Sequence, residues 1–289
     1  MPPSNSPTKA LPFGSPASTR WPAWPTTGPT SQVCADVLCG YLRIPREGHG
    51  ETEVREAILR VIRDRTRIAA ETSWSELDFD FTGITGENVD FARRRFAGEV
   101  LFGGAEFVGG VASFAGAQFG KLVSFHGARF SAAETNFTGL TLSSGRAEFV
   151  GAEFGGEKVD FADALLESSS MAFFRCRFTA PVVDFSQLDF TFGRVVFDRC
   201  DFTDLEVDLS SSYGFRTGAL LANNCRFERC RVDLSLVARH VRLTGCVLDT
   251  VTVADQDDDP VRLPWQVVEL RGGTLLPSHH TVPISAATS

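Results

Sequence analysis

Between residues 105 and 130 the chain reads AEFVGGVASFAGAQFGKLVSFHGARF, and its phenylalanines follow one another at intervals of seven, five, six and five residues. That spacing fits neither the 3.6-residue period of a helix nor the two-residue period of a strand. Aligned on phenylalanine, the chain resolves into pairs whose members lie five residues apart. They are Phe91/Phe96, Phe102/Phe107, Phe114/Phe119, Phe125/Phe130, Phe137/Leu142, Phe149/Phe154, Phe161/Leu166, Phe173/Phe178, Phe185/Phe190 and Phe197/Phe202. The pairs start on a near-constant beat, which becomes strictly constant from Phe125 onward. A second apolar column lies two residues ahead of these rungs, with Val100, Ala112, Val123, Ala147, Val159, Met171, Val183 and Val195 before first members. Ala105, Ala117, Ala128, Leu140, Ala152, Ala164, Cys176, Leu188 and Cys200 precede second members. Residues i−2 and i of an extended backbone point the same way. Each unit therefore sends one small or branched side chain and one large one inward. Polar residues between them, such as Glu106, Ser113, Gln118, Ser124 and Arg129, face solvent, and the glycines that follow supply corners. Repetition at so short a fixed period predicts an all-β solenoid.

Units such as AEFVG, AQFGK, ARFSA and AEFGG resemble the consensus of the pentapeptide-repeat family, in which a small residue and a central Leu or Phe recur every five positions. The resemblance covers roughly residues 78–250. It implies a right-handed quadrilateral β-helix with one pentapeptide on each face. The chain departs from the plain pattern by a two-residue insertion between pairs. A 12-residue coil would have too little lumen for two phenylalanines, whereas about 24 residues per coil, in steps of 5, 7, 5 and 7, keeps four faces. Cys176 and Cys200 are 24 apart and Cys225 follows 25 later, in agreement. Six to seven coils from Val89 to Asp249 would make a rod roughly 30 Å long, at about 4.8 Å between stacked strands. The repeat frays after Leu209. Phe227 and Leu248 still anchor units, with Cys225 and Cys246 two residues ahead, and SSSYGFRTGALLANN between Leu209 and Phe227 is expected to bulge outward.

The flanks follow a different pattern. Residues 1–30 are rich in Pro, Ser and Thr and are expected to form a disordered tail. Residues 31–73 read as a two-helix lead-in or cap. Val33, Val37, Leu38, Tyr41 and Leu42 recur at helical spacing over 32–42, before Pro45 ends the helix. A second helix is predicted over about 51–68, with Val54, Ile58, Val61 and Ile62 on one face. Its acidic start (Glu51, Glu53) and basic end (Arg63, Arg65, Arg67) suit the macrodipole. The repeat region is set at 74–254. Residues 255–289 are read as an acidic loop (DQDDDP), a capping strand (PWQVVEL) and a disordered tail. The lead-in QVCADVLCGYLRIP, the basic helix and the DFDFTG after Trp74 also resemble a group of actinobacterial pentapeptide-repeat proteins. The 25 Arg against 3 Lys would fit a high-GC genome.

Composition narrows the function classes. The chain has 289 residues, 25 Phe but 2 Tyr, and a net charge of −8. That charge disfavours direct nucleic-acid binding through phosphates. No apolar run reaches the roughly 18 residues of a membrane span, and the N-terminus lacks the apolar core of a secretory signal. The expected location is the cytoplasm. An altered or truncated start relative to longer relatives is also entertained. Seven cysteines at irregular spacing argue against a disulfide framework. Cys225, Cys230 and His240 invite a zinc reading, but a stacked small-residue column explains the cysteine spacing better. Cys34 and Cys39 are expected to pack rather than cycle. His126 follows an inward Phe and should point outward. No GxSxG, GxGxxG or EF-hand spacing occurs. No catalytic residue, cofactor or metal ligand is therefore assigned, and the chain is expected not to be an enzyme. The Arg93-Arg94-Arg95 run reads as a solvated face that could dock an acidic partner.

The favoured expectation is a non-enzymatic scaffold whose flat faces bind an unidentified protein partner, as solenoids commonly do. A homodimer is compatible with the same faces. The family resemblance implies a second reading, in which an acidic rod imitates DNA and protects DNA gyrase. Residues 78–250 carry 23 acidic and 17 basic side chains, acidic but interspersed. A third reading makes the chain a soluble module of a membrane-associated system.

Overall fold

The computed structural model describes residues 29–45, 51–70, 73–190, 192–210, 219–233, 241–249, 252–254 and 266–271. Two helices precede the repeats: α1 (Pro29–Arg43) and α2 (Glu51–Arg65). The faces they bury differ from those the spacing predicts. On α1 the buried side is Ser31, Ala35, Cys39 and Leu42, while Val33 and Val37 are exposed. On α2 it is Arg55, Ile58 and Ile62, with Val54 and Val61 outside. Arg55 explains the second shift. Its guanidinium donates to the carbonyls of Leu42 (2.6 Å) and Ile44 at the end of α1, where a helix leaves acceptors unpaired. A charged residue thus occupies a position that periodicity reserves for an apolar one. α2 also ends three residues earlier than predicted. The Thr66 hydroxyl caps the Ile62 carbonyl, and the Thr66 carbonyl accepts the amide of Arg95 from the first coil.

Gln32 fastens this cap to the solenoid. Its side-chain amide donates to the Asp78 carbonyl (2.8 Å) and accepts the Asp78 amide (3.0 Å), as a neighbouring strand would. An open strand edge is thereby covered.

From Phe79 onward the chain winds as a parallel β-solenoid of about six coils of some 24 residues. Phe79 pairs with Val100, Val100 with Val123, and then Ala147, Met171, Val195 and Leu220 follow in register. The coil length is constant from Val123 through Val195, and the first coil, from Phe79 to Val100, is slightly shorter. Each full coil has four faces. In the coil centred on Phe149 the rungs are Phe149 on the first face, Phe154 on the second, Phe161 on the third and Leu166 on the fourth. The five-residue steps are tight corners and the seven-residue steps are widened ones.

All nineteen phenylalanines from Phe91 to Phe227 in the core column are buried, none more than 7% exposed. On three faces they form continuous stacks. Phe102, Phe125, Phe149, Phe173 and Phe197 lie 4.7 to 5.0 Å apart on the first, and Phe130, Phe154, Phe178, Phe202 and Phe227 4.6 to 4.9 Å apart on the second. Phe114, Phe137, Phe161 and Phe185 do the same on the third. That interval is the spacing of hydrogen-bonded strands, so backbone pairing and ring stacking share one repeat.

On the fourth face Phe119 and Phe190 are core rungs, as their place in the pairs predicts. Both side chains are buried, but neither belongs to a continuous aromatic column. Phe119 stacks on Phe96 at 5.3 Å, and there the run of rings stops, because Leu142 and Leu166 take the next two rungs. Among the described residues no ring stacks on Phe190. The fourth-face sheet also ends before it, at Leu165–Glu167, and only an isolated bridge from Leu165 to Asp189 continues the pairing. Burial sets the rung, whereas stacking needs a second ring one coil away. The leucines supply the first without the second.

The ladder also begins earlier than the pairs indicate. Phe81 stacks on Phe102 at 5.0 Å, making Phe91 and Phe96 the third and fourth rungs of the first coil. Gly86 fills the second, opposite Phe107.

The corners use a left-handed residue two positions after the rung. Glycine serves at Gly104, Gly127 and Gly151, but Arg175, Arg199 and Asn224 serve in later coils. At the far end, part of the segment expected to bulge is regular. Ala219–Asn223 is a first-face strand in register with Arg194–Asp198. Residues 211–218 of that segment lie outside the described residues, as do His240, the DQDDDP loop and nearly all of both expected tails. The PWQVVEL strand is present as Gln266–Arg271, laid parallel against Val241–Asp249.

Candidate interaction surface

With the phenylalanines inside, any function of the rod rests on its outward columns, and the faces differ sharply. The second face carries a ladder of alternating sign, Glu106, Arg129, Glu153, Arg177, Asp201 and Arg226, one residue per coil. Arg129 bridges Glu106 (3.1 Å) and Glu153 (3.5 Å), and Arg177 reaches Glu153 (3.7 Å). Charge there is consumed within the face. The third face stacks Asp90, Ser113, Asn136, Asp160, Asp184 and Asp208, and each side chain accepts the backbone N–H two residues on, at 2.8 to 2.9 Å except for Ser113 at 3.4 Å. These are corner-stabilising turns. Lys158 sits between Asp160 (2.6 Å) and Asp184 (3.8 Å), and these contacts hold its ammonium above the usual lysine value.

The first face is built otherwise. Its strands Arg146–Val150, Ser170–Phe174, Arg194–Asp198 and Ala219–Asn223 run five residues, where most strands have two or three. Their outward positions include Val150, Ala172, Phe174, Val196 and Leu221, with Phe174 37% exposed. The central outward column runs Glu148, Ala172, Val196 and Leu221, so three adjacent coils offer an uncharged centre on a flat parallel sheet, with Asp198 beside Phe174 at its edge. SMAFF (170–174) carries the signal for it in the sequence. Two consecutive phenylalanines cannot both face the lumen of an extended strand, so Phe174 must lie outside.

Along the widened corner between the fourth and first faces runs a trough of about 580 Å³. Lys121, Arg146 and Arg194 line it on different coils, with Ser144 and Ser168–Ser170 between and the exposed ring of Phe192 at one end. Arg146 is paired with Glu148 (2.7 Å). Lys121 and Arg194 make no ion pair among the described residues, and Glu99 is the lone acid in the lining. The Ser169 hydroxyl is buried without a hydrogen-bond partner among the described residues. Gly145 keeps the floor tight, since a Cβ there would lie 2.3 Å from the Lys121 carbonyl oxygen. Two cations without ion pairs among the described residues, Lys121 and Arg194, thus edge this face, with the paired Arg146 between them. No motif announces them, because they are scattered singly, one or two coils apart.

A second cleft, about 400 Å³, lies between α2 and the first coil, where Arg60 and Arg63 face Glu56, Glu87 and Asp90. The Arg93-Arg94-Arg95 run joins these two parts. Arg94 forms an antiparallel bridge with Arg67, and burial lowers the proton affinity of its guanidinium.

The described cysteines are all free thiols. Cys176, Cys200, Cys225 and Cys246 form one inward column, and each thiol but Cys225 donates to a first-face carbonyl one coil back: Phe149 (2.9 Å), Phe173 (3.3 Å) and Ala222 (3.3 Å). In earlier coils that corner closes instead through backbone amides, from Ala105 to Phe102 and from Ala128 to Phe125. In the later coils the thiol thus takes the place of that corner amide as a donor to the first-face carbonyl. A hydrogen bond to the Cys200 thiol, with burial, pushes Cys225 up to about 12. Burial does the same for Cys39 on α1, also to about 12. Such thiols are neither nucleophiles nor ready ligands. Among the described residues no three His, Cys, Asp or Glu side chains gather to hold a metal, and no helix is long and apolar enough to cross a membrane.

No protein-family model matches the chain, and no curated protein matches it.

Proposed function

We propose that the chain is a non-enzymatic scaffold of the pentapeptide-repeat type whose first face docks a protein partner. The observation that carries this reading is the apolar centre formed by Ala172, Val196 and Leu221, with Val150 and the exposed Phe174 along one edge, on the five-residue strands of the rod. On the second face, by contrast, surface charges neutralise one another. A rigid sheet that keeps its shape loses little entropy on association. The free, buried thiols suit a reducing compartment such as the cytoplasm. DNA mimicry, with DNA gyrase as the partner, draws less support. The aspartates of the third face are spent on turns, and Asp160 and Asp184 keep only 11% and 21% of their side chains exposed. The membrane-associated reading gains nothing from the geometry.

Affinity capture from the native host tests the scaffold reading. Phe174→Asp combined with Leu221→Asp should lose a partner that wild type and Arg129→Ala, altered on the second face, both retain. Equal recovery by all three baits would remove the first face as the interface. Self-association through that face would appear in light scattering as a dimer that the double variant turns monomeric.

A further inference from the structure

Resting on that reading, we infer that the segment the rod receives is an α-helix with an acidic stripe beside an apolar one, lying along the rod axis in the trough at the edge of the first face. The charges come first. Lys121 and Arg194 are exposed and lack ion pairs among the described residues, and Arg146 lies between them. Lys121 and Arg146 belong to successive coils and Arg194 to the second coil beyond. At about 4.8 Å per coil the three cations are spaced roughly 5 and 10 Å along the axis. The column beside them runs Ser124, Glu148, Ala172, Val196 and Leu221, and is apolar from Ala172 onward. Ala172, Val196 and Leu221 lie two residues along the strand from Ser170, Arg194 and Ala219, about 7 Å away. A helix about 10 Å across spans both columns at once.

The repeat lengths decide between helix and strand. One helical turn advances about 5.4 Å, within about 0.6 Å of one coil, so a helix offers one side chain per coil and slips by only about 2 Å over four. An extended segment on the same line advances about 6.7 Å per outward residue and is out of step after two coils. Residues three or four apart on such a helix therefore present carboxylates to the cations, and the neighbouring stripe meets Ala172 and Val196. On the coil without a cation, Ser168 and Ser170 offer hydroxyls.

The test uses the full chain and a fluorescein-labelled helical peptide of about 18 residues, roughly five turns. It carries Glu at every third or fourth position and Leu on the adjoining stripe. One control replaces each Glu by Lys, and another scrambles the order. Fluorescence anisotropy should show the acidic peptide binding at least about tenfold more tightly than either control. Lys121→Glu with Arg194→Glu should weaken it about tenfold, and added salt should weaken it further. These two residues are exposed, so a circular dichroism spectrum and thermal midpoint matching wild type will accompany the variant. Binding equal to that of the scrambled peptide, or none, overturns the inference. Binding lost in Val196→Asp but unchanged in the charge-reversed variant overturns the helix inference and leaves the first-face reading standing. The opposite pattern overturns that reading.

Discussion

Phe173 and Phe174 are adjacent and chemically identical, yet the fold places them on opposite sides of one sheet. Phe173 is fully buried. Its ring stacks on Phe149 and on Phe197, each at 4.7 Å, and meets Phe161 and Phe185 edge to face at 5.6 and 5.8 Å. Truncation to Ala removes this burial and leaves a cavity that stacked neighbours cannot collapse into, because their backbones are fixed by the ladder. The expected loss is about 3–5 kcal/mol, to which broken aromatic pairs contribute about 0.5–1.5 kcal/mol each. Phe174→Ala removes a ring already 37% exposed and with no cavity behind it, so the loss should stay near or below about 1 kcal/mol. Urea titrations followed by far-ultraviolet circular dichroism measure both midpoints, provided the slope is unchanged. Equal losses, or a larger one for Phe174, would refute the inward and outward assignment and with it the register of every coil.

Further outcomes follow from corners, thiols and charge. Gly156 has φ +82°, and a Cβ there would stand 1.9 Å from the Ala132 carbonyl oxygen. Gly156→Ala should therefore cost about 2 kcal/mol or more, whereas Arg175→Gly, at φ 54°, should relieve up to about 1 kcal/mol of left-handed strain; thermal midpoints moving the same way would contradict this. Cys39 and Cys225 keep their protons in the fold up to about pH 12, while unfolded thiols ionise near pH 8.5. Their contribution to stability is whole below that value and falls as pH rises from about 8.5 toward 12. Denaturation midpoints that stay level through that range would count against buried thiols. Arg129→Glu places three acids in a row on the second face. With partners 43% and 49% exposed, the cost should be about 1 kcal/mol or less and should shrink in high salt.

Much of the fold is legible in the sequence because a solenoid converts sequence period directly into space. The pairs at five residues and the 24-residue recurrence of cysteine determine the coil length, the inward columns and the four faces. Each of these depends only on local alternation and on stacking like on like. Polar residues between rungs point outward for the same reason. The pairs mark Phe119 and Phe190 as rungs, which they are, but the rings that stack on a rung depend on what the next coil brings. The N-terminal helices are less legible. Periodicity alone puts Val33 and Val54 inside, because it cannot know that Arg55 will turn inward to cap α1. The first coil is partly hidden, since Gly86 occupies a rung and removes the phenylalanine that would have marked it.

The surface lies beyond the sequence. Lys121 and Arg146 stand one coil apart and Arg194 two coils further on, and no local pattern joins them. Only the stacking of coils brings them to one corner beside Ala172 and Val196. By itself the sequence determined what repeats, because burial and strand alternation act over five residues. The tertiary structure alone decided which singly scattered side chains become neighbours, because that depends on the number of residues taken to close each turn.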